Sequence, residues 1–566
     1  STNTLTMNSS QDIVLDNTLT SSSTGFASTS SGVTLNAARN LFVGDAAQTA
    51  VAGIVTSSAP ININASGSFS MLGGSSANVA STISANGVGN LVINAGTGAT
   101  LQGGVFANAS HQIGTSNSNI VFNVATGDFH LNAGVGTSAI ASLIAQGTGN
   151  CTVTVSTGNM YMRAGPGNLA SSTIDAASGN ATVNVLQGNL YLNPMSGNGS
   201  ATEYVAVRSG SGNVTVNATL GNIVFQSGPG QQSRIRVGSS TGSTTVTAGG
   251  NISMKSGSAT NNTAERSFVH IGSRVTNGGP ITVTCGGTLS MTAIDDNYVL
   301  IGNGDPAYSN TFTQTANITV SAGGGIVMQG EIAGQQTDQL GFVKIGHAIG
   351  ISGTYTLSGT ISVTAGDAIA LNAGSFYGAY LAGTIPPSQS TGTILNTASA
   401  AQIGHGGNYG SATSSISGAT TINARALTIQ AGLGAQGGSA SAFAGGTYPL
   451  NLNISAGDLY IQSGGGTGSS ATATAQNGAV TANVTNGNIG IIAVTGTGSS
   501  VSVPNTAALA NSFGAINATC AGSLTITGGI STNSNASLGS LTAGNLTVNV
   551  GTDIIMTSGF GTNGYA

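Results

Sequence analysis

Residues 281–304 read ITVTCGGTLSMTAIDDNYVLIGNG, and this stretch decides the fold. Ile281, Val283 and Cys285 alternate with Thr282 and Thr284. A period of two over five residues is the pattern of a strand with one buried face. Gly286 and Gly287 break the run, Leu289 and Met291 resume it, and YVLIGNG adds a third short run that ends in glycine. Spacings of three and four are not sustained, which excludes an amphipathic helix.

The same frame recurs along the chain. NVATGDFHLNAG, TVSTGNMYMRAG, VNVLQGNLYLNP, VNATLGNIVFQSG and VTAGGNISMKSG align on Gly127, Gly158, Gly188, Gly221 and Gly250, in nearly equal steps. It returns at Gly287 and Gly324, and later in VTAGDAIALNAG, ISAGDLYIQSG and VNVGTDIIMTSG. A self-similarity search of this kind finds about 17 copies, starting from TLTMNSSQDIVLD. A weaker run lies between copies, as in FVHIGSR, FVKIGHA and RIRVGSS. Three short strands and three turns fill a period of about 30 residues, which is one coil of a parallel β-helix. The expectation is an all-β chain, a single continuous β-solenoid over residues 1–566 with three short strands per coil. Coils are regular over 1–254 and 420–566, and carry longer, more charged loops over 255–419.

Composition agrees. Of 566 residues, 89 are Gly, 39% are hydrophobic and only 4% are charged, against about a quarter charged in an ordinary domain. In-register stacking sets each side chain on its copy one coil away, where like charges repel and neutral Thr, Ser and Asn can hydrogen-bond instead. Gly and Asn fall at the corners, where tight or left-handed backbone is needed. A net charge of −5 gives no drive toward nucleic acid. No apolar run reaches the roughly 18–20 residues of a membrane helix.

The outward positions of the first strand form a pattern of their own. They read Thr152 and Thr154, Thr182 and Asn184, Thr215 and Asn217, Thr245 and Thr247, Thr282 and Thr284, Thr319 and Ser321. Stacked, these make two parallel ladders on one flat face. They serve either as ordinary solvent-side residues or as a contact surface for a neighbouring filament, a glycan or ice.

Residues that could carry chemistry are sparse. Enzymes on this fold need clustered carboxylates on one outward face, and the only adjacent pair is Asp295 and Asp296, in a loop. No catalytic set, metal site or cofactor motif emerges. Cys151, Cys285 and Cys520 each fall on an apolar position of the repeat and read as small buried hydrophobes. His270, His347 and His405 follow related third strands and read as surface histidines. The gap between His347 and His405 suggests an extra coil or long loop between them. Copies spread further apart in the middle of the chain, where Arg274, Asp305 and Glu331 gather, and an insertion runs from Gly374 to Ala419. Inserted solenoid loops often bind, so Tyr377, Tyr380, His405 and Tyr409 are the candidate loop-binding residues.

AAQIGHGGNYG, its relatives FVKIGHA and FVHIGS, and the recurring ITVTAGG-type pairs carry a resemblance. They resemble the repeat region of large bacterial exoproteins of the filamentous haemagglutinin type, over most of the chain. The resemblance implies a right-handed parallel β-helix, export across the outer membrane, and a role in adhesion, surface fibres or biofilm. The secretion domain with an Asn-Pro-Asn-type motif that opens many such proteins has no counterpart here, the one Asn-Pro being in LNPMSG. The first residues already read as coil, and the last copy ends close to its second strand. The expectation is a segment of a longer chain or a head-to-tail assembly of uncapped ends. The function read from the sequence is that of a non-enzymatic, extracellular or cell-surface β-solenoid fibre that self-associates and contacts glycans or neighbouring cells. Ice-binding, S-layer or sheath roles are the alternatives, and a polysaccharide-active enzyme is a more distant one.

Overall fold

The computed structural model describes residues 4–16, 18–21, 32–44, 52–74, 76–194, 202–228, 232–257, 267–275, 277–294, 297–305, 312–330, 341–348, 354–373, 399–406, 413–432, 438–464, 469–493, 506–511, 513–529, 534–540 and 544–559. These residues form strands and turns and no helix, so none holds a helix long and apolar enough to cross a membrane. The chain is a parallel β-solenoid made of two compact units. One comprises Ser1–Ser253 with Ser267–His270, the other Met254–Arg266 with Ile271–Ala566.

In the first unit each coil contributes one strand to each of three parallel ladders. The first ladder includes Ile120–Thr126, Cys151–Thr157, Ala181–Gln187 and Val214–Ala218. The second includes Phe129–Asn132, Met160–Arg163 and Leu190–Leu192, and the third His111–Thr115, Ile140–Ala145 and Ala170–Ala176. Pairing stays in register: Cys151 lies on Ala181, Val153 on Val183 and Val155 on Val185. The step along the first ladder varies only slightly, being shorter from Leu5 to Val33 than from Ala181 to Val214.

The alternation read from the sequence is the alternation of burial. Cys151, Val153 and Val155 are fully buried, while Thr152 and Thr154 are half-buried on the outer face. Each inward Val, Ile or Leu removed from water contributes about 1.5–3 kcal/mol. Phe122 packs at the centre of an aromatic cluster, 5.6 Å from Phe69 and 4.8 Å from Phe129 between ring centroids. All three cysteines are buried thiols outside any disulfide. The aligned turn glycines are required where they stand. Gly127, Gly158 and Gly188 have φ of +81°, +131° and +154°, and a Cβ on Gly188 would lie 1.9 Å from the Gly158 carbonyl oxygen.

The second unit keeps the three ladders but lengthens its early coils. Ile281 pairs with Ile318, Ile318 with Ile361, and Ile361 with Thr420, so each step is longer than the one before it. Part of the extra length builds a fourth, three-stranded ladder of Phe312–Gln314, Thr354–Leu357 and Thr413–Ile416. It lies in the chain between the third strand of one coil and the first strand of the next, so these coils have four sides. Phe312, Tyr355 and Leu357 give it a core of its own. The third ladder here, Tyr298–Ile301 and Gly341–Ile345, is buried at every position rather than alternately.

This corrects the expectation for the histidines. Ile345 pairs with Ile403, so the coils of His347 and His405 are adjacent. Neither is a surface residue: His347 and His405 are 0% and 1% exposed. His270 is fully buried as well. Tyr377, Tyr380 and Tyr409, with Asp295, Asp296 and Glu331, lie outside the described residues.

Candidate functional site

The outer face of the first ladder is a regular surface. Within the first unit the structure stacks Thr152, Thr182, Thr215 and Thr245 into one column and Thr154, Asn184, Asn217 and Thr247 into the next. Within the second unit Thr282 lies on Thr319 and Thr284 on Ser321. All are half-buried or exposed. The strand pleat puts them on one face, and the ladder spacing of about 4.8 Å sets each beside its equivalent.

Sequence reasoning missed the most ordered part of this face. Asn8, Asn36, Asn64, Asn94 and Asn123 continue the second column, and each side-chain amide donates to the carbonyl oxygen of the one before. Asn36 Nδ2 is 2.7 Å from Asn8 Oδ1, Asn64 and Asn94 sit at 2.8 Å from their acceptors, and Asn123 at 2.9 Å. The signal was present as the Asn four places into LTMN, VTLN, ININ, LVIN and IVFN.

Asparagine also explains the corners. Ahead of the first strand, the backbone N–H groups of Asn119, Asn150, Asn180 and Asn213 donate in turn to the side-chain oxygens of Asn90, Asn119, Asn150 and Asn180, at 2.8–3.1 Å. A second such chain precedes the second strand, from Asp128 through Asn159, Asn189 and Asn222 to Asn251. Each side chain satisfies a backbone donor that the turn takes out of the ladder.

The outer face of the second ladder carries an aromatic column. His130, Tyr161 and Tyr191 stack with centroids 4.8 and 5.0 Å apart and planes within 6°. The Arg163 guanidinium lies 4.7 Å from the Tyr161 ring centre. Partial burial, then Arg163, lowers the His130 pKa against the opposing pull of Asp128. Burial, with Asp128 and Tyr191, raises that of Tyr161.

His405 stands apart from a surface-loop site. It belongs to a buried polar group with Asn303, Lys344, His347 and Gln402, all on or just after the third ladder of the second unit. Lys344 Nζ donates to Gln402 Oε1 at 2.8 Å, and burial pushes the lysine well below its ordinary range. Arg274 and Asp305 form a largely buried ion pair on neighbouring turns. In the first unit, burial lowers His111 to about 3, offset only in part by the Gln102 backbone. Among the described residues, no group of three or more His, Cys, Asp or Glu side chains could hold a metal ion.

The fold and these faces define the class: an all-β parallel β-solenoid repeat protein. A scan of family models, a search of curated proteins and a search of solved structures each found no match.

Proposed function

We propose that this chain is a structural, adhesive solenoid that works outside the cell by presenting long, neutral, regularly spaced faces. The observation that carries this reading is the in-register amide and hydroxyl ladder on the first sheet, from Asn8 to Asn123 and on through Thr154 to Thr247. A surface of this kind is flat, lacks charge repulsion, and suits lateral contact with another regular surface, including a second copy of the chain. The style of the repeat, which resembles the filamentous haemagglutinin type, supports a bacterial cell-surface setting.

The test has two parts. Electron microscopy of the purified chain over a concentration series should show assemblies that lengthen or bundle as concentration rises. Antibody labelling of intact source cells should decorate their exterior. Particles of constant size at every concentration, together with labelling only after permeabilisation, would overturn the proposal.

A further inference from the structure

The turn after the third ladder in the second unit is built as a chain of acceptors. Ser273 N–H donates to Asn303 Oδ1 at 2.8 Å, Asn303 N–H to His347 Nδ1 at 3.1 Å, and His347 N–H to His405 Nδ1 at 3.3 Å. The histidines thus take the place that asparagine holds at the other corners. Each also reaches across to the segment that follows the fourth ladder. His347 Nε2 meets the Ala316 carbonyl oxygen at 2.8 Å, and His405 Nε2 meets that of Gly359 at 3.1 Å. The two rings stack, with centroids 4.7 Å apart and planes 18° from parallel.

This geometry fixes the protonation state. Nδ1 faces an N–H donor and must be bare, while Nε2 faces a carbonyl and must carry the hydrogen. A second proton would set donor against donor at Nδ1. It would also put positive charge on one of two stacked, buried rings. We propose that His347 and His405 form an acid-sensitive latch, which fastens the third ladder to the inserted fourth while both rings are neutral and releases it on protonation.

The surroundings favour release. Among the described residues, the other titratable or charged groups on these elements and their turns are Lys344, Tyr298, Tyr355, Tyr448 and the Arg274–Asp305 pair. The Asp305 carboxylate is engaged by Arg274. Lys344 acts with the same sign as the rings. Burial, partly offset by the Ala316 carbonyl and reinforced by Lys344, lowers His347 to about 4. Burial and then His347 hold His405 well below its ordinary value.

The sign follows from linkage. An unfolded histidine titrates near 6.5. The opened segment therefore binds protons that the closed one refuses, and closure weakens as pH falls from about 6.5 toward about 4. The expected effect is up to about tenfold in the opening equilibrium per pH unit for each histidine.

Hydrogen exchange on the full chain, corrected for intrinsic rates, tests this at pH 7.5 and pH 5 (both about one unit or more from the unperturbed value). Peptides covering 312–316, 341–348, 354–359 and 399–406 should lose protection in acid, while those covering 181–187 and 214–218 hold theirs. The double variant His347→Asn/His405→Asn copies Asn303; it should keep protection at pH 7.5 and lose the acid response. An unchanged acid response in that variant, or an equal loss in both sets of peptides, overturns the latch. If the variant does not fold, labelled-histidine NMR of the native chain decides. Two rings protonated on Nε2 alone at pH 6 support the latch, and two that titrate near 6.5 overturn it.

Discussion

The coils around Cys151 and those around Ile318 start from the same first strand and end as different cross-sections. Near Cys151 the short step to Ala181 closes three sides, and the outer face of the first ladder stays half-buried and neutral. Near Ile318 the longer steps, from Ile281 and on to Ile361, add a fourth side, and the third strand is buried throughout. The difference teaches what added length does to a stacked coil. A longer connection need not leave as a loop; it can stack on its own copies, acquire a core through Phe312 and Tyr355, and bury polar groups. Once buried, those groups are stable only when neutral or paired. The His347–His405 stack meets that condition by neutrality, Arg274 against Asp305 meets it by pairing, and Lys344 donates a hydrogen bond to Gln402.

Four variants, one of them double, probe the difference between the two kinds of coil. Phe122→Ala removes the ring between Phe69 and Phe129, and should cost about 4 kcal/mol. In a stacked array that loss stays local. Protection from hydrogen exchange should therefore fall sharply across Ile120–Thr126 and Phe129–Asn132 and not in the second unit. Uniform loss would contradict coil-by-coil stability.

His111→Ser comes next. Ser81 and Ser172 occupy the same column of the third ladder and donate to the carbonyls of Leu72 and Leu131, so serine fits. The native His111 is held neutral, with its pKa lowered to about 3. Its stabilising effect is therefore complete above about pH 6.5 and drains away as pH falls toward 3. The variant should lessen the acid loss of the coil around His111 by about 3 kcal/mol between pH 7 and pH 4, read from hydrogen exchange across His111–Thr115 and Ile120–Thr126 at each pH.

A smaller gain is expected at the buried lysine. Lys344→Met/Gln402→Leu replaces a desolvated amine and its partner with apolar groups of similar size. It should stabilise the second unit by about 2 kcal/mol at neutral pH, read as a higher urea midpoint there. No gain, or a loss, would mean that Lys344 is solvated or carries a charge partner.

The smallest effect is on the open face. Asn64→Ala cuts the amide chain between Asn36 and Asn94, and should cost about 1 kcal/mol. The change should appear in exchange at Ile61–Ala65. Silence there would mean that water replaces the amide ladder without loss.

Much of this was legible in the sequence because the repeat obeys a single rule. Alternation marked Val153 and Val283 as inward, and repeated glycines marked Gly127, Gly158 and Gly188 as corners. The cysteines read as buried because they took apolar positions, and they are. The fourth ladder was not legible. Its strands, FTQ, TYTL and TSSI, are short and have no counterpart in the other coils among the described residues, so the repeat frame does not predict them. His347 and His405 were misplaced because their corner packs against the segment that follows the fourth ladder, and His270 because its strand is buried at every position. The Asn8–Asn123 column was visible, but its meaning depends on register, which strand pattern alone does not show.

An engineered cross-link tests whether coils of unequal length stack in register. Thr356 and Ser415 are exposed and paired on the fourth ladder although a whole lengthened coil separates them in sequence. Neighbouring strands hold Cα atoms about 5 Å apart, within disulfide reach. Thr154 and Asn184 give the same test in a regular coil. Under mild oxidation the Thr356→Cys/Ser415→Cys chain should form its disulfide as readily as Thr154→Cys/Asn184→Cys, while Thr313→Cys/Ser415→Cys, two coils apart, should not. Bonding in the regular pair alone, or equal bonding in all three, would contradict the four-sided coil.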